Sequence, residues 1–240
     1  VQPDYSFHQH GVQLYSGGYG ANFTEDCARL IAVLHGTSLA FSPQTVETVI
    51  RHLLDGQQWM IRGRRWDFGS IGRWVAWPAG VDTASDWRAG FPGATGLAQA
   101  CRDLSPFAGD CREEMEAFER RLRGDTPPDA ALPLGCRVFW RSDYVTYVRP
   151  GFSVAVRMSS RRAIGTESAP SGQGSKNWHL GDGAMCLMQS GNEYADIAVV
   201  WDWRRLPGVT CVHDPERPLP INVWGKGAEG GGDFVGLGRT

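Results

Sequence analysis

Apolar residues recur at helical spacing in the first half of the chain. The pattern predicts a helix over 26–35 with Thr24 as its N-cap. It predicts a second helix over 43–56, where Ser42 precedes a proline at the first helical position. An aspartate followed three residues later by a glutamate has the form of a capping box for a third helix over 110–123. The first half is therefore predicted to be helical.

The pattern changes after residue 125, where two consecutive prolines interrupt the chain. Segments rich in Val, Phe and Tyr, separated by turn residues, are typical of strands. Helices followed by strands without alternation predict an α+β fold, with a helical region over 1–125 and an antiparallel β region over 126–240. The predicted strands are 136–140, 144–148, 152–158, 184–189 and 194–201.

The composition narrows the classes of partner. The formal net charge of −2 gives no overall field that would attract nucleic acid or an anionic membrane. No apolar run reaches the roughly 18 residues that a membrane span needs. We therefore expect neither nucleic acid nor a membrane as a partner.

The six cysteines contain no Cys-x-x-Cys pair, so a zinc site is not expected. Cys101 and Cys111 lie close enough in sequence for a short disulfide loop. Buried free thiols are the alternative.

Three segments combine residues that can move protons or bind sugars. Over 8–19, two His and two Tyr lie in glycine-flanked loops, and both ring types can transfer protons. Over 62–67 and 72–74, within a loop-like stretch rich in Trp, Gly and Arg, guanidinium groups lie among indoles. This suits an acidic sugar, because guanidinium groups pair with carboxylates. Over 167–210, polar and aromatic residues fill the predicted loops of the β region. Each segment taken alone is more typical of a structural loop. The candidate substrate-binding residues are Arg62, Trp66, Arg73 and Trp203.

Four motifs occur in a fixed order along the chain. The first is Asp-x-Ser-Phe-x-Gln-His over 4–10, followed by Gly-Gly-Tyr-Gly over 17–20. Arg-Gly-Arg over 62–64, the Trp-His segment over 177–183 and Trp-x-x-Leu-Pro-Gly-x-Thr over 203–210 come next. Together they resemble the polysaccharide lyase family of the hyaluronate, chondroitin AC and xanthan lyases. The resemblance implies the C-terminal part of an α/α toroid followed by an antiparallel β-sandwich.

The resemblance also implies a reaction and its residues. These enzymes cleave a uronic-acid-containing polysaccharide by β-elimination and leave a 4,5-unsaturated sugar. By position, Tyr19 matches the general base and acid, and His10, nine residues earlier, matches the catalytic histidine. Arg64 matches the arginine beside that tyrosine, and Glu167 matches the acidic residue that holds both in place. Because tyrosine ordinarily titrates near pH 10, the arginine is expected to favour the phenolate.

The chain also departs from the family pattern. The family's asparagine, which neutralises the substrate carboxylate, has no match among the three residues before the first motif. The family's next arginine falls near Phe68, so Arg73 replaces it only if the chain has an insertion. We therefore expect a middle portion of a longer lyase, partnered by the missing N-terminal and C-terminal segments.

The sequence is also compatible with two other classes of function. One is a non-catalytic carbohydrate-binding protein, or an inactive fragment, on the lyase scaffold. The other is a glycoside hydrolase, which would need a carboxylate pair drawn from Asp4, Asp67 and Glu167. We expect an acidic polysaccharide as the partner. We also expect that the protein is secreted and that it binds no organic cofactor. A structural Ca²⁺ is allowed by resemblance only.

Overall fold

The computed structural model describes residues 1–75, 94–168, 174, 176–194, 197 and 200–216. Helices come first in this part of the chain and an antiparallel sheet follows, so the predicted α+β class is confirmed. In chain order the elements are α1 (Tyr19–Leu34), α2 (Pro43–Arg51), β1 (Ile61–Arg62), β2 (Arg65–Trp66), α3 (Leu97–Leu104), α4 (Arg112–Arg123), β3 (Gly135–Phe139), β4 (Tyr144–Arg149), β5 (Phe152–Arg157) and β6 (Ala184–Met188).

Helix α1 begins at Tyr19, seven residues before the predicted start at residue 26. Thr24 is buried inside this helix, and its hydroxyl lies 3.0 Å from the Gly20 carbonyl and 2.9 Å from Gln57 Oε1. The prediction of Thr24 as an N-cap is therefore wrong, because the hydroxyl bonds back along the helix and across to another segment. The earlier start places Tyr19 at the first residue of the helix.

The other helices agree with the sequence to different degrees. Helix α2 confirms its prediction, since Ser42 Oγ accepts the Thr45 N–H at 3.2 Å and a π-helical turn continues the helix to Gly56. The capping box predicted for the third helix is wrong, because α4 starts at Arg112 without a side-chain cap. Helix α3, which the sequence pattern did not predict, packs against α1 and α4.

Strands β3 to β6 form one sheet in the order β3-β4-β5-β6, with every neighbouring pair antiparallel. Burial alternates along each strand, because successive side chains of a strand point to opposite faces of the sheet. One face of the sheet therefore packs against the core. Four predicted strands are confirmed. The fifth, over 194–201, is wrong at its described residues, because the Trp201 N–H closes a turn onto the Ile197 carbonyl at 2.9 Å.

A single apolar cluster joins the helices to the inner face of the sheet. It includes Leu53, Leu97 and Phe118 from the helical region and Phe139 and Cys186 from the sheet, all almost fully buried. The domain boundary at residue 125 stays a prediction. In the described ranges, no helix is both long enough and apolar enough to cross a membrane.

All six cysteines carry free thiols in the structure. The predicted disulfide between Cys101 and Cys111 is therefore wrong. Cys101 lies within α3 against the core, where burial raises the pKa of its thiol above the usual range. The buried-thiol alternative describes this position.

Candidate functional site

The segment before α1 folds back on itself and carries His10 at its tip. The Tyr15 N–H donates to the Phe7 carbonyl at 2.8 Å, and His8 and Leu14 form an isolated β-bridge. His10 has a φ of 58°, in the left-handed region that few non-glycine residues adopt. Strained backbone of this kind clusters at functional sites. Here it holds the imidazole 5.1 Å from the Tyr19 ring, centroid to centroid, in an edge-on arrangement.

The Tyr19 ring is held by its neighbours on several sides. The Trp74 indole lies 5.3 Å from it and the Tyr15 ring 5.2 Å from it. Gly18, at φ 60°, makes room for the indole, because a Cβ there would lie 2.7 Å from the Trp74 ring. Tyr19 is half-buried, so part of this residue stays open to solvent.

Arg73 links the tyrosine to a buried carboxylate. Its Nη2 donates to the Tyr19 hydroxyl at 2.6 Å, and its Nη1 donates to Glu167 Oε1. Hydrogen bonds from a guanidinium are charge-assisted and are stronger than bonds between neutral groups. The planar fork therefore fixes Tyr19 and Glu167 relative to each other.

The Glu167 carboxylate is buried, and several donors surround it. Tyr15 donates to Oε1 at 2.9 Å, and His10 Nδ1 lies 2.8 Å from the same atom. The Asn177 side chain donates to the Glu167 carbonyl at 3.1 Å and so holds its backbone. A buried carboxylate is tolerated only when paired and hydrogen-bonded, and Arg73 supplies the pairing charge here. The cluster thus unites residues from the start of the chain, its middle and its β region.

The arrangement supplies two proton-transfer groups beside one guanidinium. A phenol bonded to a guanidinium can release and recover a proton at the same oxygen. His10 Nδ1 faces both Glu167 Oε1 and Arg73 Nη1, so this nitrogen donates in one tautomer and accepts in the other, while Nε2 takes the opposite role. The site can therefore remove a proton from one face of a bound molecule and return one to a leaving oxygen.

Of the four residues predicted as catalytic, the structure brings together Tyr19, His10 and Glu167 but not Arg64. Arg64 is exposed, and its side chain lies along Gly124. Arg73 stands in the position that the sequence assigned to Arg64. The physical reason is the path of the chain. Arg64 lies in the turn of the β1–β2 hairpin, and strand β2 and a 3-10 turn over Phe68–Ser70 separate it from the 3-10 turn that carries Arg73.

Three predicted substrate-binding residues are buried and support the fold. Arg62 donates to the carbonyls of Gln189 at 2.8 Å and Arg149 at 3.1 Å, which ties the β1–β2 hairpin to the sheet. Trp66 and Trp203 are 3% and 2% exposed, too little for either indole to stack on a sugar in this conformation. Arg73, the fourth candidate, belongs to the cluster around Tyr19.

Two carboxylates considered for hydrolysis are used inside the protein. Asp4 accepts bonds from Ser6 and from the Arg141 N–H at 2.7 Å. Asp67 accepts the Gly69 N–H at 2.7 Å and the Tyr144 hydroxyl. Both cap local turns. Tyr15 is one of the two tyrosines that the sequence singles out over 8–19, but the sequence gives it no separate role, because it has no motif of its own.

Among the described residues, no three His, Cys, Asp or Glu side chains come together as a metal-binding group. The Ca²⁺ that the resemblance allows stays a prediction.

Comparison with protein families gives two matches. Residues 1–86 match the N-terminal α-helical domain of polysaccharide lyase family 8. Residues 134–238 match the super-sandwich domain of the same family. The two matches lie on either side of the segment that contains α3 and α4.

Two curated proteins are similar along most of the chain. Chondroitinase-AC of Pedobacter heparinus is 30% identical over 239 residues, which cover 98% of this chain and 32% of the relative. Xanthan lyase of Bacillus sp. strain GL1 is 29% identical over 232 residues, which cover 86% of this chain and 24% of the relative. The chain thus spans about a third and a quarter of the lengths of these proteins.

Solved structures show the same architecture. A chondroitinase AC lyase studied in oligosaccharide complexes aligns with a TM-score of 0.75 and 27% identity, covering 86% of this chain and 29% of that one. The Streptomyces coelicolor chondroitin AC lyase in complex with chondroitin sulphate aligns with a TM-score of 0.78 and 23% identity. The alignment covers 95% of this chain and 35% of that one. Because its sequence identity is only 23%, the second structure supports the fold alone.

Proposed function

Because the chain belongs to polysaccharide lyase family 8, we propose that it carries the proton-transfer centre of a lyase that cleaves a uronic-acid polysaccharide by β-elimination. The proposed substrate is an acidic polymer of the hyaluronan, chondroitin or xanthan type. Both curated relatives named above are lyases or chondroitinases by name, which supports this class of substrate.

The observation that carries the proposal is the contact between Arg73 and Tyr19. The 2.6 Å bond from Nη2 places the guanidinium charge beside the phenol oxygen. A charge-assisted donor at this position stabilises negative charge on the oxygen while a proton is transferred. The Arg73–Glu167 pair keeps the guanidinium aimed at this oxygen, while the carboxylate offsets part of its charge.

In the proposed reaction, the Tyr19 phenolate removes the C5 proton of the uronate. The electron pair of the C5–H bond forms the C4=C5 double bond, and the C4–O glycosidic bond breaks. The departing oxygen takes up a proton, which Tyr19 returns. His10, on the edge of the same ring, is the second group able to hold a proton during this sequence.

Elimination and hydrolysis are distinguished by their products. The purified chain is incubated separately with hyaluronan, chondroitin sulfate and xanthan, and the ultraviolet absorbance of the conjugated alkene is followed. Mass spectrometry then shows whether the two product ends together contain an added water. Elimination predicts rising absorbance and no added water, whereas hydrolysis predicts the reverse.

The outcome also separates catalysis from binding. A rise in absorbance with one polymer supports lyase activity and identifies the substrate class. Retention of a polymer without any rise supports the alternative, a non-catalytic carbohydrate-binding protein or an inactive fragment, and contradicts lyase activity of this chain. Secretion is part of the proposal as well, since the substrates considered are extracellular polymers, and cell fractionation of the source organism tests it.

A further inference from the structure

Tyr15 is the most deeply buried side chain of the cluster, with no exposed surface. Its hydroxyl donates to Glu167 Oε1 at 2.9 Å. It accepts the backbone N–H of Arg73 at 2.9 Å and the Arg73 Nη1 at 3.2 Å. A phenol oxygen has one proton to donate and can accept further bonds, so this hydroxyl has partners in both roles. These bonds go to Arg73, which donates to the Tyr19 hydroxyl, and to Glu167, which accepts from Arg73.

The bond to the Arg73 backbone fixes where the arginine side chain begins. Arg73 lies in a short 3-10 turn over Gly72–Val75, whose first backbone N–H groups have no partner within the turn itself. The Tyr15 hydroxyl accepts one of them. Gly72, at φ +59°, lets the ring approach this closely, because a Cβ there would lie 2.1 Å from the Tyr15 Cζ.

The environment keeps the Tyr15 proton in place. Burial raises the pKa of this phenol well above its usual range, and the neighbouring Glu167 charge raises it further. Tyr15 therefore stays a neutral donor to the carboxylate. The rings of the two tyrosines lie 5.2 Å apart, centroid to centroid. Their surroundings differ, because Tyr15 is fully buried and Tyr19 is half-buried.

We propose that Tyr15 is a positioning residue, whose hydroxyl locks the Arg73 backbone and the Glu167 carboxylate so that the guanidinium points at the Tyr19 hydroxyl. Tyr15 does not exchange protons with the substrate. This inference rests on the proposed function for its catalytic consequence. Its structural part, the bond from the Arg73 N–H, can be measured independently of turnover.

The test compares Tyr15→Phe with Tyr194→Phe. The second substitution is a matched control, because the Tyr194 hydroxyl also accepts a backbone N–H, from Leu187 at 3.0 Å. The readouts are kcat, KM and the pH profile of elimination, together with the exchange rate of the Arg73 N–H by NMR. We expect Tyr15→Phe to lower kcat by about 10-fold to 100-fold with little change in KM, because a misplaced charge affects the reacting state most.

The pH profile and the amide exchange carry the decisive information. In Tyr15→Phe, the pH optimum should move upward, because a loosened guanidinium stabilises negative charge on the reacting oxygen less. The Arg73 N–H should also exchange faster. Tyr194→Phe should change neither. An unchanged kcat and pH profile alongside faster Arg73 exchange would overturn the positioning role.

Two other results are possible, and measurements on the wild-type chain are needed to interpret both. If Tyr15→Phe does not fold, an Arg73 N–H that is protected in the wild type supports the bond, and one that exchanges like an exposed amide overturns the proposal. If the wild type shows no elimination, the proposed function fails. In that case, faster Arg73 exchange in Tyr15→Phe alone still supports the positioning of Arg73, and unchanged exchange overturns it.

Discussion

Replacing Arg73 by lysine tests which arginine serves the Tyr19 hydroxyl. Lysine keeps the positive charge but concentrates it on one nitrogen at the end of a flexible stem. The guanidinium instead reaches Tyr19 through Nη2 and Glu167 through Nη1. A lysine in this position can satisfy only one of these partners well. Arg73→Lys therefore removes the donor from the reacting oxygen or from the carboxylate.

The magnitude follows from the place of the donor that is lost. A hydrogen-bond donor aimed at an oxygen whose charge changes during reaction is worth about 10²–10³ in kcat, or about 2.7–4 kcal/mol. We expect a loss of that size in Arg73→Lys. Lysine is preferred to alanine here, because removing the charge would leave Glu167 buried without a counter-ion and cost about 3–5 kcal/mol of stability.

Arg64→Lys is the matched control. Arg64 is exposed beside Gly124, and surface substitutions of this kind usually change stability by less than about 0.5 kcal/mol. Elimination rates for both variants are measured by the absorbance of the unsaturated product, after urea denaturation has shown that each is folded. The reasoning is refuted if Arg64→Lys loses as much activity as Arg73→Lys, or if Arg73→Lys stays within a few-fold of wild type.

Two further predictions concern stability and are measured by urea denaturation. Gly72→Ala should lose roughly 2–5 kcal/mol, since it adds left-handed strain of about 1–2 kcal/mol to overpacking of about 1–3 kcal/mol against Tyr15. Gly36→Ala, at φ +75° in open space, should lose only the strain, and equal losses would contradict this account. Burial lowers the pKa of His52 to about 4, although its ring bonds the Tyr5 carbonyl at 2.8 Å. The unfolded chain therefore binds a proton between about pH 6.5 and 4 that the folded chain does not, and the free energy of unfolding should fall by roughly 3 kcal/mol across that window. In His52→Gln the fall should be smaller, and the same fall in both proteins would remove His52 as its cause.

The sequence predicts best where the signal is local. The start of α2 is such a case, because Ser42 and the proline after it act on backbone groups within one helical turn. Four of the sheet strands are also visible in the pattern of Val, Phe and Tyr. Thr24 shows the opposite situation. Its hydroxyl bonds within the helix and to Gln57, a choice that depends on tertiary packing.

The candidate site divides in the same way. His10 and Tyr19 lie nine residues apart and carry a recognisable motif, so the sequence identifies both. Arg73 and Tyr15 join the site through a fold-back of the chain that sequence spacing does not encode. Glu167 was assigned by order along the chain, and the structure brings it to Arg73 from the segment between β5 and β6.

The central claim is that the Tyr19 hydroxyl carries out the proton transfers of elimination. It is tested most directly by Tyr19→Phe, with Tyr147→Phe as the control, because Tyr147 is an exposed tyrosine that contacts Arg149 on β4. Formation of the unsaturated product and retention of the polymer are measured for both variants. The account predicts that Tyr19→Phe loses elimination by at least about 100-fold while the polymer still binds, and that Tyr147→Phe behaves like wild type. Elimination at a near-normal rate in Tyr19→Phe would contradict it.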